Sequence, residues 1–253
     1  MAHINLLLFI YKTVVKHLEE TLNTQENNNK PFDIEGEVYL PAWKGFQSRK
    51  GIYGSKDSSA ETDCVFDYVV GGDSTLILDK PKDYQYNAYN YVIENQETIK
   101  EIILVALLKK YPEIQNTYDY EPDEKEEIMP DISNINEFKT LIGLSRLHFV
   151  NVHKDNVGYV GFEFGCEWDD EHGLGIMTYM DRVIKIGGAD CSFLQWVAEE
   201  DLSEKELEVL EKEQNLEFKK QQEEKIRLEE DFINNKVIKP YKEKKTHWWK
   251  FWK

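Results

Sequence analysis

The chain has only three cysteines, Cys64, Cys166 and Cys191, and no Cys-x-x-Cys pair. An odd, widely spaced set excludes a disulfide framework and a zinc knuckle, and it fits a reducing cytoplasm. No strand leads through a Gly-rich loop into a helix, so a nucleotide-binding doubly wound sheet is excluded and no cofactor is expected. Positive charge is outnumbered as well, 31 Lys and Arg against 48 Asp and Glu. The formal net charge is −17, and a surface this acidic repels phosphate backbones, which argues against a nucleic acid partner. Long hydrophobic runs are also missing: INLLLFIY near the start is broken by Lys12 and Lys16, well short of the roughly 20 residues of a membrane span. No basic stretch precedes it and no small-x-small cleavage site follows, so it does not read as a signal peptide.

What that segment does have is period. Ile4, Leu7, Leu8, Tyr11, Val14, Val15, Leu18 and Leu22 fall three and four apart, which predicts an amphipathic helix over 1–27. A polar linker, TQENNNKP, separates it from a body over 32–200. There DIEGEVYLPAW, DCVFDYVV and STLILD read as short antiparallel strands. From Tyr84 to Tyr111 the pattern becomes that of a long helix, with Val92, Ile99, Ile102, Ile103, Ala106, Leu107 and Leu108 on one face and Pro112 as its stop. A four-stranded meander follows over 147–187. Within it Val160, Phe162, Phe164, Cys166 and Trp168 alternate with Gly161, Glu163, Gly165 and Glu167, so one face is apolar and the other polar. The expected fold is α+β: an antiparallel sheet packed with a long helix.

Between helix and meander lies an acidic segment. Asp119, Glu121, Asp123, Glu124, Glu126, Glu127 and Asp131 stand against Lys125 alone. Its two readings are a surface that seeks cations and a solvated insertion. Beyond Leu202, SEKE is a capping box opening a charged helix over 201–235. In 203–230 sixteen residues are charged and seven apolar, too few for a buried face throughout, so the helix is expected to be held by Leu207, Val209 and Leu210 near its base. The tail, 236–253, carries seven Lys and one Glu, a local +6 that leaves −23 for the rest. Trp248, Trp249, Phe251 and Trp252 interleave with its lysines. Such a segment suits docking on protein, where Trp anchors interfaces; its alternative is a lipid–water interface for residues 246–253.

The stretch with the densest chemistry is CEWDDEHGLG at 166–175. Asp169, Glu171 and His172 are the candidate catalytic residues, because a carboxylate beside an imidazole can tune proton transfer. They sit too close along one turn to encircle an ion unaided, so no metal site is expected. No nucleophile is marked, and Cys166 falls on the apolar face of its strand, where a thiol is inert. The structural reading makes Asp169 or Asp170 a cap on the turn's backbone, gives Gly173 a positive φ, and pairs Glu171 with His172. WKGF at 43–46, Gln85 and Ala88 near the start of the long helix, Leu107 and Tyr111 near its end, GYVGFEFGCEWDDEHGLGIM and RVIKIGGAD together resemble DUF6985, a bacterial domain family of unknown function, over about 35–192. The resemblance is most specific at Cys166, Trp168, Asp169, Glu171, His172, Gly173 and Gly175, and it implies a domain boundary, not a mechanism.

Charge, acidic loop and the missing catalytic set point to a non-enzymatic, cytoplasmic interaction protein. Its acidic domain would bind and neutralise a basic protein partner, as immunity proteins do, through Asp119, Glu121, Asp123, Glu124, Glu126, Glu127, Trp248, Trp249, Phe251 and Trp252. The alternatives are a hydrolase built on the Asp-Glu-His turn and a peripheral membrane adaptor working through the tail.

Overall fold

The computed structural model describes residues 32–46, 64–76, 78–118, 120–169 and 171–237. The helix expected over 1–27, Asp119, Asp170 and the tail residues 238–253, with Trp248, Trp249, Phe251 and Trp252, lie outside the described residues. The chain divides after Leu210 into two compact units. The first contains one six-stranded sheet whose strands lie side by side in chain order: β1 (Glu35–Tyr39), β2 (Val65–Gly71), β3 (Ile142–Lys154), β4 (Val157–Cys166), β5 (Leu174–Tyr179) and β6 (Arg182–Gly187).

The α+β class holds, but the sheet is not wholly antiparallel: β2 and β3 pair in parallel, whereas the other four pairings are antiparallel. A parallel pair needs a long crossover, and helix α1 (Asp83–Gln115) with the segment after it supplies one. Of STLILD, neither Ser74, Thr75 and Leu76 nor Leu78 and Asp79 lie in a strand. Both hydrogen-bonding edges of β2 are already occupied, by β1 and β3, and Leu78 packs partly buried on the core. The hairpin turn between β3 and β4 falls where KDN stands, with Asp155 and Asn156 both at positive φ, as a tight two-residue turn requires.

Helix α1 does not stop at Pro112 but continues to Gln115. Pro112 has no N–H to give to Leu108 O, so the helix runs past it with that bond missing. The added turn is held by Gln115, whose buried amide donates to Met129 O at 2.8 Å and to Asp131 at 3.1 Å. The backbone leaves helical geometry at Asn95 (φ −119°, ψ 19°), where Asn95 donates back to Tyr91 O. From α1, Ala88, Tyr89, Val92, Ile99, Ile103, Leu104, Leu107 and Tyr111 are buried in one cluster with Phe162 and Phe164 of β4. Trp43 wedges beside both rings, its centroid 5.9 and 5.4 Å from theirs.

The opposite sheet face, read from alternation as polar, is buried too: Gly161, Glu163 and Gly165 are all shielded. The chain after β6 lies down on it. A Cβ on Gly161 would overlap the carbonyl of Ser192, so only glycine lets this backbone approach. Val150, Val152, Tyr159, Met177, Tyr179, Val197, Ala198, Leu202 and Leu210 complete a second core there. Helix α3 (Gln195–Glu199) belongs to this cover. It is tacked down by Asp201, which accepts from the Tyr159 hydroxyl at 2.8 Å and from both guanidinium arms of Arg182. Glu163 escapes an isolated charge through His148 on the neighbouring strand, Nε2 to Oε2 2.6 Å; a carboxylate is kept out of water only when it has such a partner.

Helix α4 (Glu204–Val237) opens on the expected capping box. Glu206 accepts from the Ser203 backbone N–H at 2.8 Å and from its hydroxyl at 2.6 Å, while Ser203 Oγ accepts from Glu206 N–H. Leu207 and Leu210 join the second core. Val209 does not and is 47% exposed, because it points to the opposite side of the helix from them. Beyond the division the second unit leaves Leu216, Phe218, Ile226, Leu228 and Phe232 exposed.

Candidate functional site

The motif turn joins β4 to β5. Its anchor is Trp168, buried against Tyr111 with ring centroids 5.6 Å apart. Asp169 then organises the turn. One carboxylate oxygen accepts from the His172 backbone N–H at 2.8 Å and meets His172 Nδ1 at 3.0 Å; the other accepts from the Tyr118 hydroxyl at 2.8 Å. Gly173, at φ +61°, reverses the chain so that its N–H reaches Asp169 O, a backbone conformation that glycine takes without strain. The carbonyl of His172 accepts from Ala189 N–H, which ties the turn to the chain after β6.

The electrostatics follow from those bonds. Burial raises the Asp169 pKa, but the His172 N–H, the Tyr118 hydroxyl and the His172 ring outweigh it and hold the carboxyl below its usual range. The same burial, with Asp169 beside it, pushes the Tyr118 phenol up. Asp169 is thus a fixed anion and Tyr118 a fixed donor. The pairing expected between Glu171 and His172 is replaced by Asp169 with His172, because the turn brings residues three apart together. Glu171 and His172 are both exposed. Among the described residues no group of three His, Cys, Asp or Glu is placed to hold a metal ion.

Two residues that sequence reasoning passed over connect this turn to the acidic segment. Tyr118 and Tyr120 stack at 5.9 Å, their planes 5° apart, and the Tyr120 hydroxyl donates to Trp168 O at 2.7 Å. The signal in the sequence was a pair of tyrosines, two apart, at the head of an acid-rich run. The acidic segment is therefore no free loop. It folds as helix α2 (Pro122–Ile128), seated through buried Met129 and partly buried Tyr120 and Ile128. Glu121, Asp123, Glu124, Glu126 and Glu127 all face solvent, with Lys125 the single cation among them. So Tyr118 and Tyr120 tie the motif turn to the chain that leads into α2, where five of the six acidic candidates stand.

Beside the turn is a cleft of about 200 Å³. Ile114, Tyr118, Trp168, Leu174 and Ile186 give it apolar walls, and exposed Thr117 stands at its edge. Lys110 and Glu113, paired at 2.5 Å, also line it.

The family described as "Domain of unknown function (DUF6985)" matches residues 49–194, more than half of the chain. The match takes in the motif turn, α1, α2 and β2 to β6, and starts beyond WKGF and β1, later than the resemblance of about 35–192. No curated protein and no solved structure matches the chain.

Proposed function

The chain belongs to the DUF6985 family, and from that premise and the surface just described we propose that it is a non-enzymatic interaction protein whose acidic face takes a basic protein partner. The observation that carries this is helix α2. Its carboxylates are exposed yet fixed on a helix that Tyr120, Ile128 and Met129 seat on the core. Like charges held close together raise the local negative potential, and a fixed array loses little entropy when a cationic surface meets it. The net charge of −17 adds long-range steering.

The motif turn supports the same reading. The Asp169 carboxylate has three hydrogen-bond contacts, from Tyr118 and His172, and a lowered pKa, which suits a framework anion better than a proton donor at neutral pH. In its simplest form the partner is a basic toxin of the same bacterium, masked as immunity proteins mask theirs. The place of action is the cytoplasm, where the three buried free thiols stay reduced. Among the described residues no helix is long and apolar enough to cross a membrane.

The test is capture from native host extract on the immobilised full chain and on a variant with Glu121, Glu124, Glu126 and Glu127 changed to Gln and Asp123 to Asn. The expected result is a basic protein retained by the first and not the second. Salt should release it near 1 M, where the Debye length is about 3 Å. Equal retention by both chains would overturn the assignment.

A further inference from the structure

We propose that the cleft beside the motif turn is the anchor pocket of this surface: it takes one aromatic side chain of the partner, carried on a segment rich in Lys or Arg. The proposal rests on the acidic-face reading and adds the chemistry of what is recognised.

Size comes first. The cleft measures about 200 Å³, and an apolar cavity of about 150 Å³ suffices for benzene, so a ring enters with room for its linking carbons. Its walls are the matching chemistry. Ile114 and Ile186 are partly exposed branched aliphatics and Tyr118 a partly exposed ring, with Leu174 and Trp168 nearly buried behind them. Rings against such walls gain more than their buried area alone.

The walls are also rigid, which an anchor pocket requires. Trp168 is pinned by Tyr111 and by the Tyr120 hydroxyl on its carbonyl. Tyr118 is pinned by Asp169 and by its stack with Tyr120.

Charge then selects what carries the ring. Glu171 is exposed in the motif turn, Asp190 is exposed two residues past Gly188, itself a lining residue, and Glu121 follows the stacked tyrosines into α2. Among the described residues the one cation lining the cleft is Lys110, already paired with Glu113. Glu171 and Asp190 each stand two residues from a lining glycine, Gly173 and Gly188, so a ring flanked by Lys or Arg approaches an acidic stretch of surface, whereas one flanked by acids is repelled. Aromatic anchors beside complementary charge are the usual composition of interface hot spots.

Three N-acetylated, C-amidated peptides serve as probes: Lys-Lys-Trp-Lys-Lys, Lys-Lys-Ala-Lys-Lys and Glu-Glu-Trp-Glu-Glu. Each is titrated into the full chain by calorimetry and by amide shifts of Gly173, Gly187 and Gly188. The expected result is at least roughly tenfold tighter binding of the basic Trp peptide than of its Ala counterpart, no binding of the acidic peptide, and shifts at all three glycines. Thr117→Trp, which fills the mouth from an exposed position, should erase the Trp preference while both basic peptides keep a weak, salt-sensitive affinity. Thr117→Arg repeats the test with a cation across the same mouth. Equal binding of the two basic peptides by the unaltered chain overturns the pocket and leaves the acidic face standing. Failure of every peptide to bind overturns both. A Trp preference that survives both Thr117 variants overturns the placement.

Discussion

The two faces of the sheet are buried by different means. Under α1 the cover is side chain on side chain: Phe162, Phe164 and Trp43 interlock with Val92, Ile99, Ile103 and Leu107. Under the chain after β6 the cover is backbone on backbone at its closest point, where Gly161 meets Ser192. One face is filled by volume and the other is made possible by its absence. The same amino acid change should therefore have opposite consequences on the two sides, and the largest effect belongs to the filled one. Phe164→Ala removes a ring that is fully buried and should cost about 3–5 kcal/mol, read as a fall in the denaturation midpoint at unchanged slope.

On the other face, adding one carbon is the harmful change. In an exposed strand Gly→Ala gains roughly 0.5–1 kcal/mol from backbone entropy. At Gly161 the new methyl must displace the backbone of Ser192, so Gly161→Ala is expected to destabilise by about 1–3 kcal/mol. Chemical denaturation checks the sign, and a stabilised Gly161→Ala would show that the cover does not lie where it is placed.

That contrast also explains what the sequence made legible. The apolar alternation of β4 and the three-and-four spacing of α1 are period signals, and they located the first core correctly. The second core rests on a contact between Gly161 and Ser192, distant in sequence, and glycine in a strand signals close approach without saying of what. Alternation puts Glu163 on a polar face and says nothing of its burial for the same reason: its partner, His148, is set by register between strands and not by period. The parallel pairing of β2 with β3 was hidden because alternation carries no direction. At the site, Asp169 and Gly173 were visible as turn chemistry. Tyr118 and Tyr120 were not, since their hydroxyl contacts reach about fifty residues along the chain.

The comparison sharpens within the motif turn, where Asp169 and Glu171 are acids two residues apart with unlike surroundings. Asp169→Asn keeps the shape and loses the charge that the Tyr118 hydroxyl and the His172 N–H address, for an expected loss of about 1 kcal/mol at neutral pH. The sign with pH is fixed by the direction of its shift. A folded pKa held below the unfolded one gives stability that is fully present above the unfolded value and is lost as pH falls through the folded one. The gap between wild type and Asp169→Asn should therefore be constant above the ordinary Asp range, near pH 4, and shrink below it. A gap that widens in acid would contradict the network.

Glu171 should show the smallest effect on stability and a real one on binding. It is exposed, and removing a surface charge away from caps and buried pairs usually moves stability by no more than about 0.5 kcal/mol in either direction. Its charge nonetheless stands two residues before Gly173, which lines the cleft, where a cationic partner would sample it. Glu171→Gln is therefore expected to melt with the wild type while weakening capture of the basic partner, more at low salt than at high, because an exposed charge acts through a screened field. Paired thermal melts and binding titrations at two ionic strengths separate the two effects. A Glu171→Gln chain that binds its partner as tightly as wild type at low salt would move the contact surface away from the motif turn and onto α2 alone, and one that melts several degrees lower would return Glu171 to the framework beside Asp169.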